Sequence, residues 1–486
     1  MSEEICVPSS SGSSQASSQG PYSAALLGPS AAQHRNYARP ELFKDQFIEW
    51  IKGMMYHSFV LGNDAASYLD TCSFIEEIVD EHRKAPNASR LLSWVPTVGL
   101  FHTALPMRRA FELYDRKYAI TSRRMVAPSF NEIRHMLNIA QIFAISTDLR
   151  FISFDGDQTL YSDGGNFEEK EELSYEIIAL IRSGVYVAVI TAAGYGLDGS
   201  KYEVRLQGLL RRFIVAGLDA EQIGRFFVVG GECNYLLRCA LLDGAAASLV
   251  PVPVEEWQAE TICGGNAPRP SCWPADQVTQ ILDIAEASMT ASRDELRLRA
   301  KILRKERAVG IFPGGAAMAE MYPQGHGSLK LKREALDEVV LRAMEALRKA
   351  DPPIALPFCA FNGGRDAWLD VGNKRIGVEA LSKYLGIPAP CCLHVGDQFL
   401  HTGNDFAARQ VCPCIWITGP NETLKVLEHV LNHCLRTSGG ASSPSSRANR
   451  TGTLGADSLL PPPPGAGADE GRPKSPLRQF NVYTGE

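Results

Sequence analysis

Apolar positions along this chain change their spacing, and the changes divide it into parts. Up to about residue 38 the sequence is rich in Ser, Gly, Ala and Gln, with no hydrophobic period. From Pro40 to about Ala144 apolar residues recur on one helical face: Phe43, Phe47, Trp50, Ile51 and Met54, then Leu69, Phe74, Ile75, Ile78 and Val79. A third helix is predicted over 130–143, with Ile133, Leu137 and Ala140 inward. Beyond it, short and wholly apolar runs at 149–154, 185–190, 226–229, 392–395 and 414–417 alternate with helical patterns at 172–182, 202–215, 377–385 and 422–435. Strands apolar on both faces and separated by helices predict a parallel sheet covered on both sides. Right-handed crossovers then make it a doubly wound α/β domain.

The segment 231–366 interrupts this grammar with its own strands and helices, among them an amphipathic stretch over 331–347. It reads as an α/β cap inserted after the third strand. From residue 438 the chain is Pro-, Gly- and Ser-rich, with a proline run at 461–464, and has too little apolar surface to offset the entropy of ordering. The expected organisation is a tail at 1–39, a helical leader at 40–146, a core at 147–230 and 367–436 split by a cap at 231–366, and a second tail at 437–486.

Composition narrows the class. At 486 residues, 45% hydrophobic and 21% charged, the chain suits a soluble globular protein of two or three units. A net charge of −6 gives no basic field for a nucleic-acid coat. No apolar run approaches the roughly 18 residues that span a bilayer. The N-terminus carries acids and serines where a secretory signal has a basic patch and an apolar run, so a cytoplasmic protein is expected. The 12 cysteines are scattered without metal-ligand spacing, as buried free thiols would be.

The chemistry begins at residues 151–165, FISFDGDQTLYSDGG, where an apolar strand ends in Asp155 and Asp157. Ligands of open α/β sheets bind beyond the carboxyl ends of the strands, so both acids are expected in the crevice. A strand-to-turn junction alone would also favour Asp and Gly there. The rest of the set adds weight: Thr191 ends a second strand, Lys374 opens a helical stretch, and Gly396-Asp397 ends a later strand, with Asp405 following. Acid pair, hydroxyl, lysine and acid are the parts that bind Mg2+ and a phosphoryl group together.

This ordered set resembles the haloacid dehalogenase superfamily of aspartate-nucleophile phosphatases, with one departure: Gln158 stands where glycine usually precedes the threonine. The segments SFDGDQTLYSDGGNF, VAVITAAGYG, FNGGRDAWLDVGNKRIGVEAL and LHVGDQFLHTGNDFAAR, with NEIRHMLNIAQ in the leader, resemble the IMP-specific 5'-nucleotidase family over about residues 40–435. The resemblance implies Mg2+-dependent hydrolysis of IMP, with Asp155 as nucleophile and Asp157 as proton donor and acceptor. It implies Asp155, Asp397 and the Asp157 carbonyl as magnesium ligands, Asp405 behind them, and Thr191 and Lys374 on phosphate. It further implies Asp163 and Asp366 on the nucleoside, a homotetramer, and ATP as an effector sensed by the leader, with Lys117 and His135 as its contacts and Arg123 and Arg124 as further candidates.

Other features read more plainly. The basic residues Arg293, Arg297, Arg299, Lys301, Arg304, Lys305 and Arg307 suggest a solvated helix face. Arg205 suits either a phosphate or a surface pair with Glu203, and Trp368 either a purine or packing on the sheet. Two other functions fit parts of the pattern: a phosphosugar mutase of the same superfamily, and a nucleotide-sensing protein without catalysis. Retention of Asp155 and Asp157 opposes the second.

Overall fold

The structure is a computed structural model and describes residues 44–438 apart from 63, 170, 245, 259–272 and 315–330. The tail expected at 1–39, and nearly all of that at 437–486, lie outside the described residues.

The leader is built on helices α1 (Gln46–Leu61), α2 (Ala65–Lys84), α3 (Met107–Tyr118) and α4 (Phe130–Ile145). Side chains set several of their starts by accepting orphan backbone N–H groups: Asp45 from Ile48, Asp64 from Ser67, and Ser129 with Glu132 in a reciprocal capping box. Ile51, Met55, Ile75, Phe111, Ile133 and Met136 form the buried centre. Helix α3, which the sequence reading does not name, shows the same one-face period in its buried Met107, Ala110, Phe111 and Tyr114, with Arg108, Arg109, Glu112, Asp115, Arg116 and Lys117 between them.

The core is a seven-stranded sheet in the order β11-β10-β1-β2-β3-β4-β5. Its strands are β1 (Phe151–Phe154), β2 (Tyr186–Ile190), β3 (Phe226–Gly230), β4 (Tyr235–Leu242), β5 (Ala246–Pro251), β10 (Cys392–Gly396) and β11 (Cys414–Trp416). The five strands from β11 to β3 are parallel, whereas β4 and β5 pair antiparallel. Helices α5 (Leu173–Arg182) and α6 (Gly199–Val215) pack on one face, and the other face joins the cluster that runs into the cap.

The cap carries a second, antiparallel sheet ordered β6-β7-β9-β8: β6 (Ala300–Arg304), β7 (Ala308–Pro313), β8 (Phe358–Asn362) and β9 (Ala367–Val371). Helices α7 (Ala275–Glu295) and α8 (Arg333–Arg348) cover it through Ile281, Ala285, Val339 and Val340. The segment expected to be cap from residue 231 thus opens with β4 and β5, which extend the core sheet. Its sheet also keeps β9, which lies past residue 366. The chain re-enters the core at α9 (Lys374–Tyr384), and the described residues end on α10 (Pro420–Ser438).

The basic run at 293–307 is not one helix face. It spans the end of α7, a turn with Arg297 at φ 52°, strand β6 and the turn before β7. Arg304 returns to α7 to pair with Asp283 and Glu286, while Lys305 and Arg307 face the cleft between cap and core.

The leader docks on the core through α4. Arg134, nearly fully buried, donates to the Trp416 carbonyl at 2.6 Å and ion-pairs with Glu422 at 2.9 Å. Asn138 Nδ2 donates to the same carbonyl at 2.7 Å, and its Oδ1 accepts from Trp416 N.

Candidate active site

Strand register gathers the site. Phe154 is opposite Val189 on one side and Val395 on the other, so Asp155, Thr191 and Gly396-Asp397 leave the sheet at one edge. This is where the chain order reverses, the usual place for a ligand in such sheets. Asn373 caps α9 by accepting from Ile376 N, which brings Lys374 to the same edge in the first turn of the helix.

Lys374 is fully buried. Its ammonium lies 2.6 Å from Asp155 Oδ1 and 2.6 Å from Asp405 Oδ1. Asp405 Oδ1 also meets His394 Nε2 at 2.9 Å, and Oδ2 accepts from Gln398 N. His394 Nδ1 in turn meets Ser153 Oγ at 2.9 Å, so a buried chain Ser153–His394–Asp405–Lys374 ends on Asp155. Burial would drive the lysine towards neutrality, but Asp155 and Asp405 hold its pKa above the usual value. Burial would likewise raise Asp405, yet Lys374 and His394 keep it well below the carboxylate range. Burial pushes Asp155 up to about 7 against the pull of Lys374. Asp397 is pushed up to about 9 by burial and by the charges of Asp155 and Asp405.

Asp155, Asp397 and Asp405 place carboxylate oxygens within 4.8 Å of one another. Asp397 Oδ1 is buried without a hydrogen-bond partner, whereas both oxygens of Asp405 are engaged. Three crowded acids against one lysine, all donors oxygen and one orphaned, fit a hard divalent cation. The side chain of Asp157 stands outside that trio: Oδ1 accepts from Gly164 N at 2.9 Å and lies 3.7 Å from Arg205 Nη2. Burial raises the Asp157 pKa in spite of these two partners. Directly after the acid pair, Gln158 adopts φ 57°, the left-handed turn that explains why glycine is usual there. Such a conformation costs a side chain roughly 1–2 kcal/mol.

A cleft of about 580 Å³ lies between core and cap, and Asp155, Asp157, Asp163, Thr191 and Asp366 all line it. Lys374 and Asp397 sit behind Asp155 rather than on the lining. Across the mouth Asp163 pairs with Arg365 of the cap at 2.8 Å. Burial raises Asp366, and it pushes Asp370, which also lines the cleft, up to about 7. Arg205 answers neither sequence reading fully: it pairs with Asp157, while Glu203 accepts from Leu249 N. Trp368 lines the cleft, with Lys305 Nζ over its ring at 4.3 Å. Sequence reasoning missed Ser153, His394 and Arg365. The two strand residues carry no signal except polarity inside apolar runs.

A second cavity, about 130 Å³, lies between leader and core and is lined by Lys44, His102, Arg134, Phe399, Arg409 and Trp416 among others. Lys117 and His135 do not line it. His135 is held by Tyr114 Oη, Arg134 and Glu422, and Lys117 Nζ lies 5.7 Å from the ring centroid of Tyr118. Arg123 pairs with Glu132, and Arg124 bonds the backbone oxygens of Thr121 and Arg123.

A profile of the IMP-specific 5'-nucleotidase family matches residues 33–427. An IMP-specific 5'-nucleotidase of Yarrowia lipolytica is 36% identical over 426 residues, covering 82% of this chain and 96% of that protein. The structure of an IMP-bound mutant of Plasmodium falciparum IMP-nucleotidase is similar with a TM-score of 0.71 at 34% identity, over 83% of this chain and 98% of that one. The ATP-bound form of the Plasmodium falciparum enzyme gives 0.68 at 33%, over 86% and 95%. Matched from the leader to the last core helix, the chain belongs to the IMP-specific 5'-nucleotidase family.

Proposed function

We propose that the chain hydrolyses IMP to inosine and phosphate through an aspartyl-phosphate on Asp155. The observation that carries this reading is the convergence of Asp155, Asp157, Thr191 and Lys374 at one sheet edge under a cap. An Asp155 oxygen attacks phosphorus while the bond to O5' breaks, and Asp157 gives its proton to the departing oxygen. Its raised pKa suits that donation. Asp157 then takes a proton from the water that attacks the same phosphorus, and Asp155 is released. Thr191 offers its hydroxyl to the phosphate, and Lys374 balances the charge of Asp155 and of the incoming oxygens. Asp155 and Asp397, with the Asp157 carbonyl, would hold Mg2+, which supplies further neutralisation of phosphate oxygens. Asp163 and Asp366 approach the nucleoside from core and cap.

ATP is proposed as an effector at the leader. The cavity beside α4 combines Lys44, Arg134 and Arg409 with aromatic rings, a set that suits a triphosphate and a base. Trp416 links it to the catalytic edge: α4 holds its backbone, and its Nε1 donates to the Asp397 carbonyl at 2.8 Å. His135 touches Arg134, which lines this cavity, whereas Lys117 is not on its lining.

The test is phosphate release from IMP, GMP, AMP and mannose 1-phosphate by the full chain with Mg2+, with and without ATP. IMP is expected to be preferred and its turnover raised by ATP, and Asp155→Asn to bind IMP without releasing phosphate. Wild-type turnover by that variant, with deamidation excluded by mass, would remove Asp155 from the mechanism.

A further inference from the structure

The cap sheet alternates cleanly. Ala367, Leu369 and Val371 of β9 are buried with Val309 and Ile311 against the cap helices. The opposite parity, Trp368 and Asp370, faces the cleft, with Asp366 just before the strand. Their partners in register are Gly310 and Ala308 on β7. A Cβ at Gly310 would lie 2.5–2.6 Å from three indole carbons, so the Trp368 ring rests against bare backbone. Among the described residues, Lys305 lies over this acid–aromatic–acid stripe. Lys305, in the turn between β6 and β7, bonds Ala308 O through its own N–H and carries its ammonium to 4.3 Å from the indole centroid. Asp366 and Asp370 both sense its charge.

We infer that Lys305 is a specificity-determining residue that reads the six-position of the purine ring. The inference rests on the reading of the site as an IMP hydrolase. Two carboxylates flank this ammonium, and they would repel a phosphate, which the core holds at Asp155 and Thr191 instead. A neutral base carrying acceptors on its edge suits the position beside this ammonium, which Trp368 holds from below. An ammonium has three donors and no acceptor. The six-oxo edge of hypoxanthine offers it O6 and N7 together. Adenine replaces O6 with an amino group, so that donors face donors and the ammonium loses a partner. Lys305 thus favours six-oxo over six-amino purines, by about 10- to 100-fold for one charged hydrogen bond gained or lost. It does not separate IMP from GMP, which share that edge.

The experiment compares kcat/KM for IMP, GMP and AMP in the full-length wild type, Lys305→Met and Lys305→Arg, with Mg2+ present. Lys305→Met is expected to lose about 10- to 100-fold on IMP and on GMP, mainly through KM, with AMP changed by less than about threefold. Lys305→Arg, which keeps the donors, should recover most of the loss. An equal fall on IMP and AMP, or an unchanged ratio, overturns the inference and leaves the hydrolase reading standing. A wild type that releases no phosphate from IMP overturns both.

Discussion

Lys374→Met tests the charge balance on which the site is built. The lysine is fully buried, 2.6 Å from both Asp155 and Asp405, and Asp397 belongs to the same acid cluster. Methionine keeps much of the volume and removes the charge. Deleting one member of a buried ion pair costs about 3–5 kcal/mol, and here one cation serves two acids. At about 2 °C per kcal/mol for a protein of this size, the core transition should fall by roughly 6–10 °C in EDTA. The sign of the pH dependence follows from the acids that remain. Burial already raises Asp155 to about 7 and Asp397 to about 9, so their ionised forms oppose folding. That penalty is full above the folded pKa and fades as the pH falls and the groups protonate. The deficit should therefore be larger at pH 8 than at pH 6. A bound divalent cation relieves the same repulsion, and occupancy at a hundredfold excess over Kd stabilises by about 2.7 kcal/mol. Mg2+ should raise the melting temperature of the variant more than that of the wild type. Differential scanning fluorimetry at both pH values, with Mg2+ or EDTA, reads every arm. A variant melting within 2 °C of wild type in EDTA at pH 8 (roughly the effect of 1 kcal/mol), or gaining no more than wild type from Mg2+, would refute the argument.

Three other outcomes are expected. Gly310→Ala must displace the Trp368 ring, so kcat/KM for IMP should drop, chiefly through KM, and overpacking should cost about 1–3 kcal/mol in the cap; an unchanged KM would separate that ring from the substrate. Arg205 lowers the Asp157 pKa, so if Asp157 protonates the leaving group as proposed, Arg205→Met should move the alkaline limb of the kcat–pH profile upward; a limb that stays put, or moves down, assigns it to another group. Glu422→Ala leaves Arg134 buried without its carboxylate, which should loosen the leader by about 3–5 kcal/mol. Limited proteolysis of the leader reads that loss, and a protection pattern equal to wild type would count against it.

Much of the catalytic edge is legible in the sequence because it is assembled by strands whose ends are visible. The runs before Asp155, Thr191 and Asp397 are apolar on both faces and stop at polar residues, so strand identity and crevice position are read together. Lys374 is also placed by local grammar, since Asn373 is a helix cap. What the sequence hides are partnerships across strands. Ser153 and His394 look like polar interruptions of buried strands, and only the β1–β10 register, which pairs them directly, reveals that they brace Asp405. The charge run at 293–307 misleads for a related reason. Composition records seven basic residues over 293–307 but not the chain reversal at Arg297, and that reversal divides an apparent helix face between a strand that pairs with α7 and a turn that reaches the cleft.

The boundary of the cap shows the same limit on a larger scale. β4 and β5 follow the third parallel strand with half-exposed patterns, which an inserted domain would share with an antiparallel sheet edge. Hydrogen bonding from Val229 to Leu236 decides for the edge. The crossing into the cap therefore follows β5, while the return from β9 lies close to the chemistry. Asn234 Nδ2, in the turn between β3 and β4, donates to both Gly231 O and Val371 O, tying the core sheet to the end of β9, and Gly372 at φ 107° has no room for a side chain beside Cys233 and Trp273. Three residues after Val371 comes Lys374. The tie between the core turn and β9 is thus continuous with the helix start that carries the buried lysine. A displacement of β9 by a substrate on its cleft face would be felt at the ammonium beside Asp155.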